Sequence, residues 1–360
     1  MTLKTGKIMR ILVDIGHPAH VHFYKNAIKE LEAKGHEILV TARDKEVTVD
    51  LLEAYNIDHT VLSSMKKGKG NLINLIKEWI IRDYKLLHIS RKFKPDILTG
   101  ILNPSVAHVS WLLNKKSIIF NDTEHASFAQ KITYPFSDVI CTPSCYYKHV
   151  GKKQVKYDGY HELAYLHPNY FTPNPNTLNE IGLGEDEKFI IMRFVSWGAS
   201  HDVGCTGLSL ETKKKAVHEL SKYGRVLISS EKVLDPEFEP YRISVPPEKM
   251  HDLLCYATLL YGESATMASE CAVLGTHAIF CDFAGRGYTD EEEAKYNLVY
   301  NFKLDGKSQE KSVKKAIELL HNSNLEDKAE EKRKRLLGDK IDVTSFILNF
   351  IKNMNSDKKE

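Results

Sequence analysis

The segment 261–280 combines small residues and hydroxyl groups in a pattern that could bind an anion. A hydrophobic strand end is followed by a turn with Ser264, Ala265 and Thr266, and the helix that starts there should end at Gly275. The N–H groups and the dipole at a helix N-terminus attract phosphate, and the two hydroxyls add donors. The segment therefore predicts a diphosphate-binding turn within a strand–helix–strand unit.

Glu270 lies about one turn into this helix, where a carboxylate could accept hydrogen bonds from the paired hydroxyls of a ribose. Phosphate at the turn and ribose at Glu270 together describe a site for a nucleoside diphosphate. The alternative is a plain strand–helix–strand unit in which Ser264 and Thr266 cap the helix and Glu270 is solvated. The spacing alone does not separate the two.

Polar residues also follow three predicted strands in the N-terminal half. These residues are His17 and His20, Asn103 and Ser105, and Asp122, Glu124 and His125. In open α/β sheets, the loops at the carboxyl ends of strands carry the ligand groups. The convergence predicts an active site, in which His17, Asn103 and His125 are candidate ligands for a sugar or an acceptor.

His20 is a candidate general base, because a histidine titrates near neutral pH and can accept the proton of an acceptor hydroxyl. Asp122 and Glu124 form a second candidate acid–base group; the alternative is that their turn caps the next helix. The spacing of His17, His20 and His22 suggests a metal site. However, the imidazoles would diverge across a turn into a helix, and no cysteine or acidic ligand lies nearby, so we predict no metal.

In the second half, Arg193 ends a predicted strand and could neutralise diphosphate charge, although a surface salt bridge is the alternative. His201 and Asp202 suit either sugar recognition or a structural ion pair. The acidic run at 291–293 is typical of a solvated helix start, and we assign it no role.

The candidate residues need a scaffold of alternating strands and helices. The apolar run 8–15 predicts a strand buried on both faces, and a helix over 21–34 and a strand over 36–42 complete a βαβ unit. The alternation continues to 139–142, the predicted last strand of the first sheet, and restarts at 189–194. The fold class is therefore α/β, with two Rossmann-like, doubly wound parallel sheets.

A linker rich in Pro and Asn over 168–175 divides the chain. It separates an N-terminal domain over 1–167, on the acceptor side, from a C-terminal domain over 168–340, on the nucleotide side. The charged tail over 308–337 is predicted to be helical. An amphipathic helix within 341–360 could pack back on the first domain.

The 360 residues suffice for two cores, and 42% hydrophobic and 27% charged residues are ordinary for a globular protein. The net charge of +2 gives no electrostatic reason to expect nucleic acid as a partner. The six cysteines include no CxxC pair, which argues against a zinc ribbon. Without a signal peptide or an apolar run of about 20 residues, we expect a cytoplasmic protein.

The segment 65–94 holds nine basic and two acidic residues with apolar residues between them. It could be an interfacial helix that makes peripheral contact with anionic lipid, or with a lipid-linked acceptor, at the inner face of a membrane. The alternative, which we favour, is a crossover helix with a solvated basic face.

The pattern G-x-S-x-T-x-x-x-E-x-x-x-L-G-x-x-x-I over 262–279 resembles the donor-binding segment of the GT-B fold, which includes nucleotide-sugar glycosyltransferases and UDP-GlcNAc 2-epimerases. The resemblance implies that Ser264, Ala265 and Thr266 hold a diphosphate and that Glu270 holds the ribose. The phrases DIGHPAHVHF, FNDTEH, RFVSWGASHDVG and GESATMASE resemble domain-of-unknown-function family 354 (DUF354), over nearly the whole chain.

Two finer resemblances bear on the chemistry. The run Ala19-His20-Val21 is similar to the His-Val loop of the lipid-linked GlcNAc-transferase of peptidoglycan synthesis, which implies that His20 lies near the reaction centre. Glu124 matches a catalytic glutamate of the epimerases, but Asn103 stands where they hold a catalytic aspartate. The segment around Arg193 also lacks the epimerase pattern, which favours glycosyl transfer.

The resemblance thus implies a GT-B-like enzyme whose two domains face a central cleft and whose substrate is a nucleotide sugar, preferably UDP-linked. Transfer would be inverting and metal-independent, without a permanently bound cofactor, onto a glycan or lipid-linked acceptor in cell-surface polysaccharide biosynthesis. An epimerase or hydrolase acting on the same donor, and a non-catalytic nucleotide-sugar-binding protein, are the alternatives. The sequence leaves the oligomeric state open.

Overall fold

The structure, a computed structural model, describes residues 8–64, 72–184, 186–194, 207–230 and 234–356. The chain forms two compact units. Unit 1 comprises Met1–Tyr165 and Ile341–Glu360, and unit 2 comprises Leu166–Lys340. Each unit is built on a parallel sheet, so the prediction of two α/β sheets is confirmed.

Unit 1 is a doubly wound sheet. Its strands are β1 (Arg10–Ile15), β2 (Glu37–Asp44), β3 (His59–Ser64), β4 (Ile97–Ile101), β5 (Lys116–Phe120), β6 (Val139–Pro143) and β7 (Gln154–Tyr157). In the described part of the unit they pair in the order β3-β2-β1-β4-β5-β6-β7, and all the pairs are parallel. The chain direction across the sheet reverses between β1 and β4, where doubly wound sheets bind their ligands.

The helices of unit 1 begin at the carboxyl ends of these strands. They are α1 (Pro18–Ala33), α2 (Thr48–Ala54), α3 (Leu72–Phe93), α4 (Pro104–Leu112) and α5 (Ser127–Thr133), and a 3-10 turn (His161–Ala164) follows β7. The core beneath α3 and α4 consists of fully or nearly fully buried aliphatic side chains, among them Leu12, Leu98 and Ile119.

The predicted last strand of the first sheet, 139–142, is not the last one. β7 pairs with β6 in parallel along the edge of the sheet. The sequence did not reveal β7 because its four residues, QVKY, have no apolar run and are only partly buried.

Unit 2 repeats the architecture with fewer strands. They are β8 (Phe189–Phe194), β9 (Arg225–Ser230), β10 (Leu259–Gly262), β11 (His277–Asp282) and β12 (Val299–Lys303), in the order β12-β11-β10-β8-β9 among the described residues. Its helices are α6 (Asn176–Glu180), α7 (Leu210–Leu220), α8 (Met250–Tyr256), α9 (Ala265–Leu274), α10 (Gly287–Glu291), α11 (Gly306–Leu320) and α12 (Leu325–Asp339). β10 is central, so the turn that follows it lies at the middle of the sheet edge.

The C-terminal region departs from the prediction in one respect. The helix predicted over 308–337 is two helices, α11 and α12, because the run HNSN over 321–324 ends the first one. The last helix, α13 (Val343–Ser356), belongs to unit 1, where the hydroxyl of Thr344 donates to the carbonyl of Ala164 at 2.7 Å. Among the described helices, none has the length and apolar character to cross a bilayer.

Candidate active site

The turn after β10 has the geometry of an anion-binding helix start. Ser264 is the N-cap of α9, and its Oγ accepts a hydrogen bond from the N–H of Met267 at 3.3 Å. By helix geometry, the N–H groups of Ala265 and Thr266 have no acceptor within the helix. The helix ends as predicted at Gly275, which has a φ of 86°. The turn therefore presents backbone donors and hydroxyls at the carboxyl edge of the unit 2 sheet.

Gly262 is required at the end of β10 by close packing. A Cβ atom there would lie 2.2 Å from the carbonyl oxygen of Arg193 on β8. The guanidinium of Arg193 donates to Oγ of Ser229 at 2.9 Å. Arg193 lies near the end of β8, as predicted, and its backbone adjoins the turn, whereas His201 and Asp202 lie outside the described residues.

Glu270 is buried on the inner side of α9, with an exposure of 4%. Its Oε1 accepts a hydrogen bond from Nε2 of His251 on α8 at 2.9 Å. The alternative of a solvated Glu270 is therefore wrong. The prediction missed His251, and the pair fixes the rotamer of a carboxylate in the second turn of α9.

The acidic run 291–293 is not solvated, contrary to the prediction. Glu292 is fully buried, and Ser269 on α9 donates a hydrogen bond to its Oε1 at 2.5 Å. Burial raises the pKa of Glu292 to about 8, against a weaker opposing effect of Lys340 and of the Ser269 hydrogen bond. The run begins at the last residue of α10 and precedes β12 in the chain, and Glu292 packs against α9. Its composition did not indicate this contact.

In unit 1, the site is organised around Asp14, a fully buried residue at the carboxyl end of β1. Its Oδ1 accepts from the hydroxyl of Thr41 at 2.6 Å, and its Oδ2 accepts from Arg82 and from Asn103, each at 2.6 Å. Asn103 also caps α4, because its Oδ1 accepts from the N–H of Val106. Both ends of the Asn103 amide are thus engaged within the protein.

His20 lies beside this network, in a cavity of about 180 Å³ that Arg82, Asn103 and Trp79 also line. Burial, with His17 and His161 nearby, holds the pKa of His20 well below its usual range, so the ring is neutral at pH 7. The N–H of Gly16 donates to Nδ1 of His20 at 3.3 Å. The neutral ring therefore carries its proton on Nε2, where it is a hydrogen-bond donor.

The neighbouring histidines, His17 and His22, have contacts of their own. His17 is the N-cap of α1, and its Nδ1 accepts from the N–H of Ala19 at 3.2 Å. His22 lies 3.2 Å from the hydroxyl of Tyr55 and stacks on Tyr165. The rings of His17 and His20 lie 5.8 Å apart between centroids, so the divergence that we predicted for the three imidazoles holds only for His22.

Asp122 pairs with a histidine that the prediction did not include. Its Oδ2 lies 3.0 Å from Nδ1 of His161, and Thr123 donates to its other oxygen. Burial raises the pKa of Asp122, but the electrostatic interaction and the hydrogen bond with His161 outweigh burial, and the pKa lies at about 2. Because an ionised carboxylate only accepts, Nδ1 of His161 carries a proton, and in the neutral form of the ring the free lone pair is on Nε2.

Nε2 of His161 is buried and has no hydrogen-bond partner in the described part of the chain. The ring is 7% exposed and packs on Phe23 at 4.5 Å between centroids. Burial of a polar nitrogen without a hydrogen-bond partner costs free energy. Nε2 is therefore a candidate to bind a ligand or to act in catalysis.

Glu124 and His125 occupy the turn between β5 and α5. Glu124 is 1% exposed, and Gln130 donates to its backbone carbonyl at 3.0 Å. α5 begins after Ala126 without a side-chain cap, so the alternative that this acidic turn caps the helix is wrong. Burial, with added effects of Glu124 and Asp122, raises the pKa of Tyr134, which places these carboxylates near its hydroxyl.

Comparison with known proteins assigns the chain to a family. Residues 9–353 match the family described as "Protein of unknown function (DUF354)". The chain belongs to this family. A relative, "Uncharacterized protein MJ0665" of Methanocaldococcus jannaschii, is 24% identical over 288 residues, which are 75% of this chain and 81% of the relative.

Solved structures show the fold of this DUF354 member. The UDP-GlcNAc 2-epimerase from Neisseria meningitidis bound to UDP-GlcNAc has a TM-score of 0.68 at 13% identity, over 95% of this chain and 99% of that one. The calicheamicin glycosyltransferase CalG4 has a TM-score of 0.59 at 11% identity, over 98% and 100%. The chain therefore has the GT-B fold that the sequence motif predicted.

The residues that the prediction missed are all partners in long-range pairs. Asp14 and Arg82 are 68 residues apart, and His251 and Glu270 are 19 residues apart. His161 lies after β7, the strand that was also missed. A buried Asp within the apolar run of β1 was the one available signal, since a carboxylate in a doubly covered strand needs a partner.

Proposed function

We propose that this protein is a metal-independent, inverting glycosyltransferase that uses a nucleotide sugar, preferably UDP-linked. The observation that carries the proposal is the start of α9 at the edge of the unit 2 sheet. This helix start presents backbone N–H groups that have no acceptor within the helix, together with the hydroxyls of Ser264 and Thr266. The buried carboxylate of Glu270 follows in the same helix, and the whole arrangement occurs in a GT-B fold. GT-B relatives in both classes, including one bound to UDP-GlcNAc, support a nucleotide-sugar substrate.

In unit 2, the N–H groups of Ala265 and Thr266 would hold the diphosphate, and Arg193 would offset its charge. Glu270 would accept the ribose hydroxyls, with His251 fixing its orientation. No cation is needed in this scheme, because the helix dipole, the hydroxyls and the guanidinium stabilise the leaving diphosphate.

In unit 1, His161 would be the base, and Asp122 would fix the tautomer that leaves Nε2 as the acceptor. The acceptor hydroxyl would lose its proton to Nε2 as its oxygen attacks the anomeric carbon, and the bond to the diphosphate oxygen would break. His20 would donate a hydrogen bond from Nε2, while Glu124 and His125 would contact the sugar or the acceptor. We propose cell-surface glycan or polysaccharide biosynthesis in the cytoplasm as the setting.

A turnover assay tests the proposal. The protein is incubated with UDP-, GDP- and TDP-sugars, with and without glycan or lipid-linked acceptors, and the release of nucleoside diphosphate is measured. His161→Asn keeps a donor for Asp122 but removes Nε2, so turnover should fall by about 10²–10⁴-fold while donor affinity stays unchanged. The pH dependence of turnover in a donor-site variant such as Thr266→Val should match that of the wild type. Full turnover in His161→Asn would contradict the assignment.

A UDP-GlcNAc 2-epimerase-like activity is the second candidate, because the TM-score is higher with the epimerase than with the glycosyltransferase, 0.68 against 0.59. Asn103 argues against it, since both ends of its amide are engaged with Asp14 and α4. Conversion or hydrolysis of the UDP-sugar without an acceptor would identify the epimerase or hydrolase. Donor binding without any turnover would indicate a non-catalytic binding protein.

A further inference from the structure

Four lysines of unit 1 line a groove that contains no carboxylate. Lys131 of α5 and Lys148, Lys152 and Lys153 of the β6–β7 connection border a cavity of about 780 Å³, and its described lining includes no Asp or Glu. Lys148 donates to neutral side-chain oxygens, and Lys153 donates to main-chain carbonyls at 2.9 and 3.3 Å. The groove is therefore a concentrated positive surface that suits phosphate.

An exposed apolar surface adjoins this lysine groove. Phe128 lies three residues before Lys131 on α5 and is 55% exposed. Its ring stacks on Trp79 of α3 at 5.6 Å. Trp111 of α4 is 62% exposed and contacts the ring of Phe136, the residue next to Pro135 in the groove lining. The apolar side chains and the lysines thus occupy one continuous face.

Helix α3 extends this face with Ile80, Ile81 and Tyr84, each at least 50% exposed. Its acidic residues do not oppose the lysines, because Glu78 pairs with Arg43 and Asp83 pairs with His108. Large apolar side chains beside unopposed lysines match a bilayer interface, where the rings enter the headgroup region and the ammonium groups meet lipid phosphates.

We propose that this face docks unit 1 on a membrane leaflet rich in anionic phospholipid. The proposal rests on α3, α4, α5 and the β6–β7 connection, and not on the proposed reaction. The membrane contact predicted from the sequence involved only the basic segment 65–94, which contains α3. The proposed face also includes α4, α5 and the β6–β7 connection. Its failure would leave the proposed glycosyl transfer untouched.

Vesicle co-sedimentation of the full chain tests the proposal. Phosphatidylcholine vesicles with phosphatidylglycerol should bind the protein, whereas vesicles of phosphatidylcholine alone should not. The double variant Lys148→Glu/Lys152→Glu should lose at least about 25-fold in partitioning, since each lysine near an anionic surface contributes about fivefold. A matched control, Lys311→Glu/Lys314→Glu on α11 of unit 2, makes the same change in net charge and should lose less than about twofold.

The apolar half of the face is tested with Trp111→Ser and Phe128→Ser. Both should weaken binding that persists at high salt, where the lysine contribution is screened. Glycerol phosphate is added as a soluble competitor. Competition by glycerol phosphate together with full vesicle binding by both serine variants would assign the groove to a soluble phosphate compound and overturn the membrane proposal. No preference for anionic vesicles, or an equal loss in the α11 control, would overturn it as well.

Discussion

The carboxyl edges of the two sheets are built in different ways. In unit 1, ionisable side chains from distant segments are paired, as in Asp14 with Arg82 and Asp122 with His161. In unit 2, the corresponding edge relies on the backbone of one helix start, which Ser264 caps. Paired side chains suit proton transfer, while a helix N-terminus suits anion binding, and this is the division of roles that the proposed reaction assumes.

The largest predicted effect is on the buried ion pair of unit 1. Arg82→Met should lower the free energy of unfolding by about 3–5 kcal/mol, because the buried carboxyl of Asp14 would lose its charged partner. Urea denaturation measures the loss. Arg10→Met is the control, since its pair with Glu37 is exposed and should contribute at most about 1 kcal/mol. Equal losses in the two variants would mean that Asp14 does not organise the edge.

Substitution of a buried carboxyl in unit 2, that of Glu292, should raise stability instead of lowering it. Burial raises the folded-state pKa of Glu292 to about 8, above the ordinary 4.5, so the fold favours the protonated form. Its contribution to stability is complete below pH 4.5 and is lost as the pH rises through 8. Glu292→Gln should therefore raise the melting temperature by a few degrees at pH 9 and change little at pH 5. A rise of equal size at both values would show that the carboxyl does not titrate as described.

The smallest of these effects concerns the turn itself. Gly262→Ala should lower the free energy of unfolding by about 1–3 kcal/mol, because the new Cβ meets the carbonyl of Arg193. Thermal unfolding measures it. Gly306→Ala is the matched control, since no atom lies within 4 Å of its added Cβ, and the change should stay within about 0.5 kcal/mol. A neutral Gly262→Ala would show that the β8–β10 packing is looser than the structure indicates.

The same contrast explains what the sequence could predict. The strand, turn and helix around Ser264 are consecutive residues, so local patterns revealed the cap, the helix end at Gly275 and the βαβ alternation. The short edge strand β7 was missed because it is half-exposed and has no apolar run. Arg82 looked like one of many basic residues in a crossover helix, and only the folded chain brings it 2.6 Å from Asp14. Residues that are paired by tertiary packing have no characteristic separation along the chain, so a single sequence does not reveal them.

Calorimetric titration of UDP into the wild type and Ala265→Asp tests the central claim most directly. An aspartate at the first position of α9 favours the helix dipole, so the fold should stay intact, while its charge opposes a diphosphate at the turn. Ala265→Ser controls for side-chain size. The account predicts that the wild type and Ala265→Ser bind UDP and that Ala265→Asp does not. Failure of the wild type to bind UDP or any other nucleoside diphosphate, or equal affinity in Ala265→Asp, would contradict it.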